Sequence, residues 1–175
     1  MKILGIIGGM SPESTATYYT EINRLVNQKK GGNISAPIVM VSVEFEEIVQ
    51  CQKQSEWQRA GEILAEAGKK LEMIGAEGIV LATNTMHKVA PQIERALSIP
   101  FLHILDATAD AIKSRGLNKV ALLGTKFTMS DNFYRDGLIV RGITPIVPNE
   151  SAQNEIHRII FDEPVSYTHL TLPTK

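Results

Sequence analysis

Short apolar runs alternating with helical periods predict an α/β fold built on a mostly parallel sheet with flanking helices. Three observations carry that reading. Continuous apolar segments such as Ile-Val-Met-Val before Ser42 are those of strands buried on both faces. Segments between them place apolar residues at i, i+3, i+4 and i+7. Glycine or small polar residues follow several of these runs, as at Gly8-Gly9, Thr83-Asn84-Thr85 and Gly124-Thr125. Apolar residues make up 43% of the 175 and charged residues 21%, a globular composition rather than a disordered one.

The elements follow in order. Residues 2–7 read as a buried strand, followed by the loop Gly8-Gly9-Met10-Ser11-Pro12. Ser11 before Pro12 is a cap with a first-turn proline, so a helix starts there and runs to about residue 28. Tyr18, Ile22, Leu25 and Val26 lie on one of its faces, and Gly31-Gly32 ends the unit. A second strand is expected over residues 37–43. The helical signal over 57–74 is strong, with Ala60, Ile63, Leu64, Ala67, Leu71 and Ile74 in one stripe. Residues 78–81 form a third strand, and a short helix carries Val89, Ile93 and Leu97. A fourth strand is expected at 100–104, then a helix capped by Asp106 and reaching Arg115. Residues 119–123 read as a fifth strand, 124–130 as a loop, 131–140 as a helix, 143–147 as a short strand and 151–161 as a last helix.

Charge and cysteine usage exclude several classes. Eighteen Lys and Arg stand against nineteen Asp and Glu, a formal net charge of −1, so no basic excess points to nucleic acid or to a membrane surface. The single cysteine, Cys51, excludes an internal disulfide framework and a cysteine-cluster metal site. The apolar start is too short for a signal peptide, and no stretch approaches a membrane span. The expected setting is a reducing compartment, the cytoplasm.

A dehydrogenase-like nucleotide site is disfavoured. Gly-x-Gly-x-x-Gly from Gly5 would need glycines where Ile7 and Met10 stand, and no Gly-Lys-Ser/Thr follows either glycine loop. Gly8-Gly9 would still let a helix N-terminus approach an anion such as a carboxylate; a tight strand-to-helix turn explains the glycines as well. Thr83-Asn84-Thr85 gathers two hydroxyls and an amide at the end of a buried strand. Helix capping accounts for one such residue well and for three poorly. His87, four residues after Thr83, is on its own more often a surface or hydrogen-bonded helix residue than a base. Gly124 stands 116 positions after Gly8, in Leu-Leu-Gly-Thr, which echoes Ile-Ile-Gly-Gly. That is either a weak internal repeat, giving two lobes with facing strand-end loops, or the common habit of βα units to place a small residue after the strand.

Gly-Ile-Ile-Gly-Gly-Met-Ser at 5–11, Cys51-Gln52, Thr-Asn-Thr-Met-His-Lys at 83–88, Leu-Leu-Gly-Thr at 122–125 and Phe133-Tyr134-Arg135 occur in this order. Together they resemble the aspartate/glutamate racemase family, on its aspartate racemase and broad-specificity amino-acid racemase side. The resemblance covers residue 1 to about 163. It implies two pseudo-symmetric α/β lobes with the active site between them, no pyridoxal phosphate, no other cofactor and no metal. One residue from each lobe works on opposite faces of the substrate Cα. Both are cysteines in most members, the first in Cys-Asn-Thr; here Thr83 stands in its place, as in a Thr/Cys subgroup. A threonine hydroxyl is a very weak acid, so the two residues of such a pair must have different roles. The resemblance further implies that Asn84 and Thr85, with Met10, Gln52 and Thr125, hold the amino acid's carboxylate and amino group.

The resulting expectation is a first lobe over 1–105, a partial second lobe over 106–163 and a tail at 164–175. Val-Ser-Tyr-Thr-His-Leu-Thr-Leu-Pro-Thr in that tail resembles translated sequencing-adapter DNA and is read as non-native. The second lobe would then be incomplete, and the offset of 116 puts the second acid–base residue near position 199. A racemase fragment, inactive alone, is the leading reading. A non-catalytic amino-acid-binding or sensor protein on the same fold is the alternative. The expected partner is a small amino acid, with a homodimer in keeping with the family.

Overall fold

The computed structural model describes residues 1–162, so the tail at 164–175 lies outside the described residues. The chain divides into two compact units, the first Met1–Ile104 and the second beginning at Leu105.

In the first unit, β1 (Leu4–Gly8), β2 (Ile38–Ser42), β3 (Gly78–Leu81) and β4 (Phe101–Leu102) form one sheet in the order β2-β1-β3-β4. Every pairing is parallel, with Gly8 beside Ser42 and Ile7 beside both Val41 and Leu81. The chain leaves β1 to one side to make β2, then crosses back to make β3 on the other side. This reversal is a topological switch point, where α/β sheets open a crevice beyond the carboxyl ends of their strands.

Between the strands run α1 (Pro12–Lys30), α2 (Phe45–Lys53), α3 (Trp57–Met73), a short 3-10 helix (Thr85–Val89) and α4 (Ala90–Ala96). Ile7, Ile79, Leu64, Leu71, Ile48 and Ile93 are wholly buried in one core. Each such side chain contributes about 1.5–3 kcal/mol of transfer free energy. The expected α3 stripe is buried at Ala60, Leu64, Ala67 and Leu71, with Ile63 packed against it. Ile74 is 59% exposed, because the helix ends before it. The expected α1 face is not core either. Only Thr15 of that helix is buried, and Leu25 is 54% exposed.

The second unit holds α5 (Ile104–Lys113, its first residue closing the first unit), β5 (Lys119–Ala121), α6 (Lys126–Ser130), α7 (Asn132–Val140), β6 (Thr144–Ile146) and α8 (Glu150–Asp162). β5 and β6 pair in parallel as a two-stranded sheet.

One element goes beyond the expected set, and three expectations change. The acidic stretch at 44–47 is the start of a helix, α2: the Glu44 carboxylate accepts from the backbone N–H groups of Glu46 and Glu47 and caps it. The expected loop at 124–130 contains α6, one turn capped by Thr125 and too short to show a period. Asp106 does not cap its helix but lies inside the first turn of α5, its carboxylate 2.6 Å from Arg141 Nε. β4 covers two residues instead of five, because Ile104 already opens α5.

Candidate functional site

The carboxyl ends of β1, β2 and β3 are tied side by side. The Val43 N–H donates to the Gly8 carbonyl at 3.0 Å, and the Ala82 N–H donates to the Ile7 carbonyl at 2.9 Å. The loop Gly9-Met10-Ser11 therefore sits between the end of β2 and the segment 82–85. Ser14, in the first turn of α1, donates its hydroxyl to the Ala82 carbonyl at 3.0 Å and adds a second tie.

Gly9 is required by this closeness. Its φ is 97°, and a Cβ there would lie 2.4 Å from the Val43 carbonyl oxygen. Its N–H donates to Thr15 Oγ1 at 2.9 Å, and Ser11 Oγ accepts from the Ser14 N–H. With these donors engaged, the glycines serve a tight strand-to-helix turn. Glu13, whose carboxyl is held low by a hydrogen bond with Ser11, adds a negative charge to the same turn.

Thr83 and Thr85 are half-buried and Asn84 is exposed. Asn84 occupies the cap position of the 3-10 helix without making a side-chain capping bond. Capping thus leaves the amide of the Thr-Asn-Thr segment unused. Met10 is buried in the same core cluster as Met86 and Cys51. Gln52, on α2, donates from Nε2 to Met86 Sδ at 2.9 Å and so reaches the 3-10 helix that follows Thr83-Asn84. Lys88 Nζ sits 4.4 Å above the centre of the Trp57 ring.

Met10, Gln52, Thr83, Asn84 and Thr85 thus share one edge of the first unit's sheet. Thr125 belongs to the second unit. There its hydroxyl accepts from the Thr128 N–H and lies 3.2 Å from Thr128 Oγ1 at the same kind of place, the turn after a strand. A depression lined by Ile3, Leu4, Glu77 and Gly78 lies at the opposite, amino-terminal edge of the sheet and involves none of these residues.

His87 is a hydrogen-bonded helix residue, as one of the two readings had it, but a buried one. Its side chain is 1% exposed. Nδ1 lies 2.8 Å from the Thr83 carbonyl oxygen, and Nε2 lies 3.2 Å from the Ile104 amide nitrogen. A carbonyl can only accept and an amide N–H can only donate, so the proton is on Nδ1 and the ring is neutral. Burial pushes the imidazole down to about 4; His103 adds to the shift, while the backbone at Thr83 and Asn84 opposes it. The rings of His103 and Phe101 pack at 4.8 and 5.7 Å between centroids. The signal available in the sequence was the four-residue spacing from Thr83 to His87, one helical turn.

Among the described residues no group of three or more His, Cys, Asp and Glu is placed to hold a metal ion, and no helix is long and apolar enough to cross a membrane.

Comparison with known proteins bears on the fold and the family. A Yersinia pestis protein provisionally described as an Asp/Glu racemase has 50% identity and a TM-score of 0.90, covering 93% of this chain and 71% of that one. An aspartate racemase homologue from Pyrococcus horikoshii OT3 follows at 38% identity and a TM-score of 0.85, over 98% of this chain and 74% of that one. The broad specificity amino-acid racemase RacX of Bacillus subtilis (strain 168) is 25% identical over 160 residues, 90% of this chain and 69% of RacX. The Asp/Glu/hydantoin racemase family model matches residues 7–171. Since that match takes in the β1 turn, Gln52, the Thr-Asn-Thr segment and Thr125, the chain belongs to the Asp/Glu/hydantoin racemase family.

Proposed function

We propose that the chain carries one side of a two-base amino-acid racemase site, with Thr83 as its acid–base residue. The observation that supports it is the convergence of the Met10 and Thr83 loops at the sheet's switch point, in a chain of this family. Asn84 and Thr85, with Gln52 and Met10, would hold the amino acid's carboxylate and ammonium groups. Neutralising the carboxylate acidifies the Cα–H, because negative charge develops beside it in the transition state. Proton removal and return at Cα need no cofactor when both faces carry a positioned group. General acid–base help is worth about two to four orders of magnitude for each group. The relatives point to aspartate, glutamate or a wider range of amino acids as substrates.

A threonine hydroxyl ionises far less readily than a thiol, so Thr83 acts chiefly as the proton donor and its partner as the base. Cys51 cannot be that partner. It is 1% exposed, packed in the core on α2, on the same unit as Thr83. Taken alone, the chain is therefore expected to bind an amino acid and not to racemise it.

The test is Cα–H exchange in deuterated water, then chiral analysis, with aspartate, glutamate and homoserine. It compares this chain with a chimera continued by the C-terminal part of the Yersinia pestis relative. The chimera should exchange and racemise without added cofactor, Thr83→Ala should abolish both, and Cys51→Ala should retain substantial activity. The same oxygen in place of sulfur also favours a second reading, an amino-acid-binding or sensor protein. A chimera that binds amino acids and never exchanges their Cα–H would select it. Racemisation by the unextended chain at the chimera's rate would refute the two-sided mechanism.

A further inference from the structure

We propose that His87 is a positioning residue for Thr83: its neutral, Nδ1-protonated ring holds the Thr83 backbone against the chain just after β4, at Ile104. The proposal rests on the reading of Thr83 as a site residue and adds the device that keeps it in place.

The geometry leaves the ring little freedom. The Thr83 carbonyl and the Ile104 amide stand at the ends of β3 and β4, and one imidazole bridges them at 2.8 and 3.2 Å. β4 is only two residues long, so the ladder between β3 and β4 stops at Val80 and Leu102. Beyond that point the ring takes the place of the missing ladder bond. It accepts from the Ile104 N–H and, from its other nitrogen, donates to the Thr83 carbonyl. His103 and Phe101 pack beside the ring, their centroids 4.8 and 5.7 Å from its own. A charged imidazole would donate from both nitrogens and would set an N–H against the Ile104 N–H. The neutral tautomer is the one that fits. It pins the backbone of Thr83 while leaving the threonine hydroxyl uncommitted.

The experiment uses this chain, labelled with 15N, and two substitutions that each keep half of the ring's chemistry. His87→Asn puts an amide donor near the position of Nδ1 and can keep the bond to Thr83. His87→Gln puts an amide oxygen near the position of Nε2 and can keep the bond from Ile104. In the unsubstituted chain, imidazole 15N shifts should show a protonated Nδ1 and a bare Nε2, with a through-bond coupling between Nε2 and the Ile104 nitrogen. Titration with aspartate and glutamate, read at the Asn84 and Thr85 amides, should give His87→Asn an affinity within about threefold of the parent. His87→Gln should lose about tenfold, the size of one ordinary hydrogen bond. Asn is the smaller side chain and leaves the larger void, so His87→Asn should melt at the lower temperature. A purely structural role would make it the weaker binder too. A protonated Nε2, a missing coupling, or binding that follows melting temperature would overturn the proposal. If the coupling is present but no amino acid moves the Asn84 and Thr85 amides of the parent chain, the site reading fails, and the positioning role falls with it.

Discussion

The two units use the same local grammar and reach different degrees of closure. Each has an apolar strand, a glycine after it and a hydroxyl cap opening the next helix: Gly8 with Ser11, and Gly124 with Thr125. In both, a threonine of the following helix lies over the glycine. A Cβ on Gly8 would meet Thr15 Cγ2 at 2.4 Å, and one on Gly124 would meet Thr128 at 3.0 Å. In the first unit this turn is held between two neighbouring strands, and Ile6 and Ile7 are wholly buried. In the second the sheet has two strands; Val120 is half-buried, and Leu123 and Ile146 are 60% and 48% exposed. The lesson is that a strand's composition does not set its burial. A strand is enclosed when neighbours flank it on both edges and helices cover both faces, and β1 has both neighbours.

The largest effect that would sharpen this contrast is core truncation. Leu64→Ala should cost about 2–5 kcal/mol, whereas Val120→Ala should cost less than about 1.5 kcal/mol. Denaturant unfolding checks this, with Trp57, the chain's one tryptophan, reporting on the first unit. Equal costs would break the comparison.

The next effect is pH. His87 is held neutral in the fold, about 4 against an ordinary 6.5. The unfolded chain binds more protons between those values, so stability falls as pH drops from about 6.5 to about 4. The full change is about 3 kcal/mol, and it levels off below the lower value. Melting temperature against pH should show the slope in the parent and lose most of it in His87→Asn and His87→Gln. A slope that survives both substitutions would assign it to other groups.

Glycine replacement probes the turns directly. Gly8→Ala should cost about 2–3 kcal/mol, since its contact is with Thr15, itself tied to Ser11 and Gly9. Gly124→Ala should cost about 1 kcal/mol, its contact being longer by several tenths of an ångström. The smallest effect is at the second unit's surface. Asp106→Ala removes the 2.6 Å pair with Arg141 and should cost at most about 1 kcal/mol, because the Asp106 side chain is 61% exposed. Chemical denaturation of each variant orders the three.

Much of the architecture could be read from residue patterns. The period of 57–73, the glycine that closes α1 and the apolar run 78–81 reflect local rules that hold in any context. α2 was missed because its cap is a glutamate, and its buried residues, Ile48 and Cys51, make only one turn of pattern. β4 was read too long because apolar residues at 99–105 suit a strand or a helix start equally well. Of the site, the segments at Met10, Gln52 and Thr83–Thr85 were legible as motifs. Their meeting at one edge was not, since it depends on the strand order.

The amino-acid sequence alone determined the fold class, the family's motifs and most element boundaries, because caps, glycines and periodicity act over a few residues. Tertiary packing decided the state of His87. The Thr83 carbonyl, four residues back, gives Nδ1 its acceptor, but nothing that local dictates burial or a bond to Ile104; these follow from β4 ending early beside β3. A polar ring enclosed by that packing must pair both nitrogens, since an unpaired buried polar group costs about 1–3 kcal/mol. The Thr83 carbonyl accepts from one nitrogen and the Ile104 N–H donates to the other, which meets that demand.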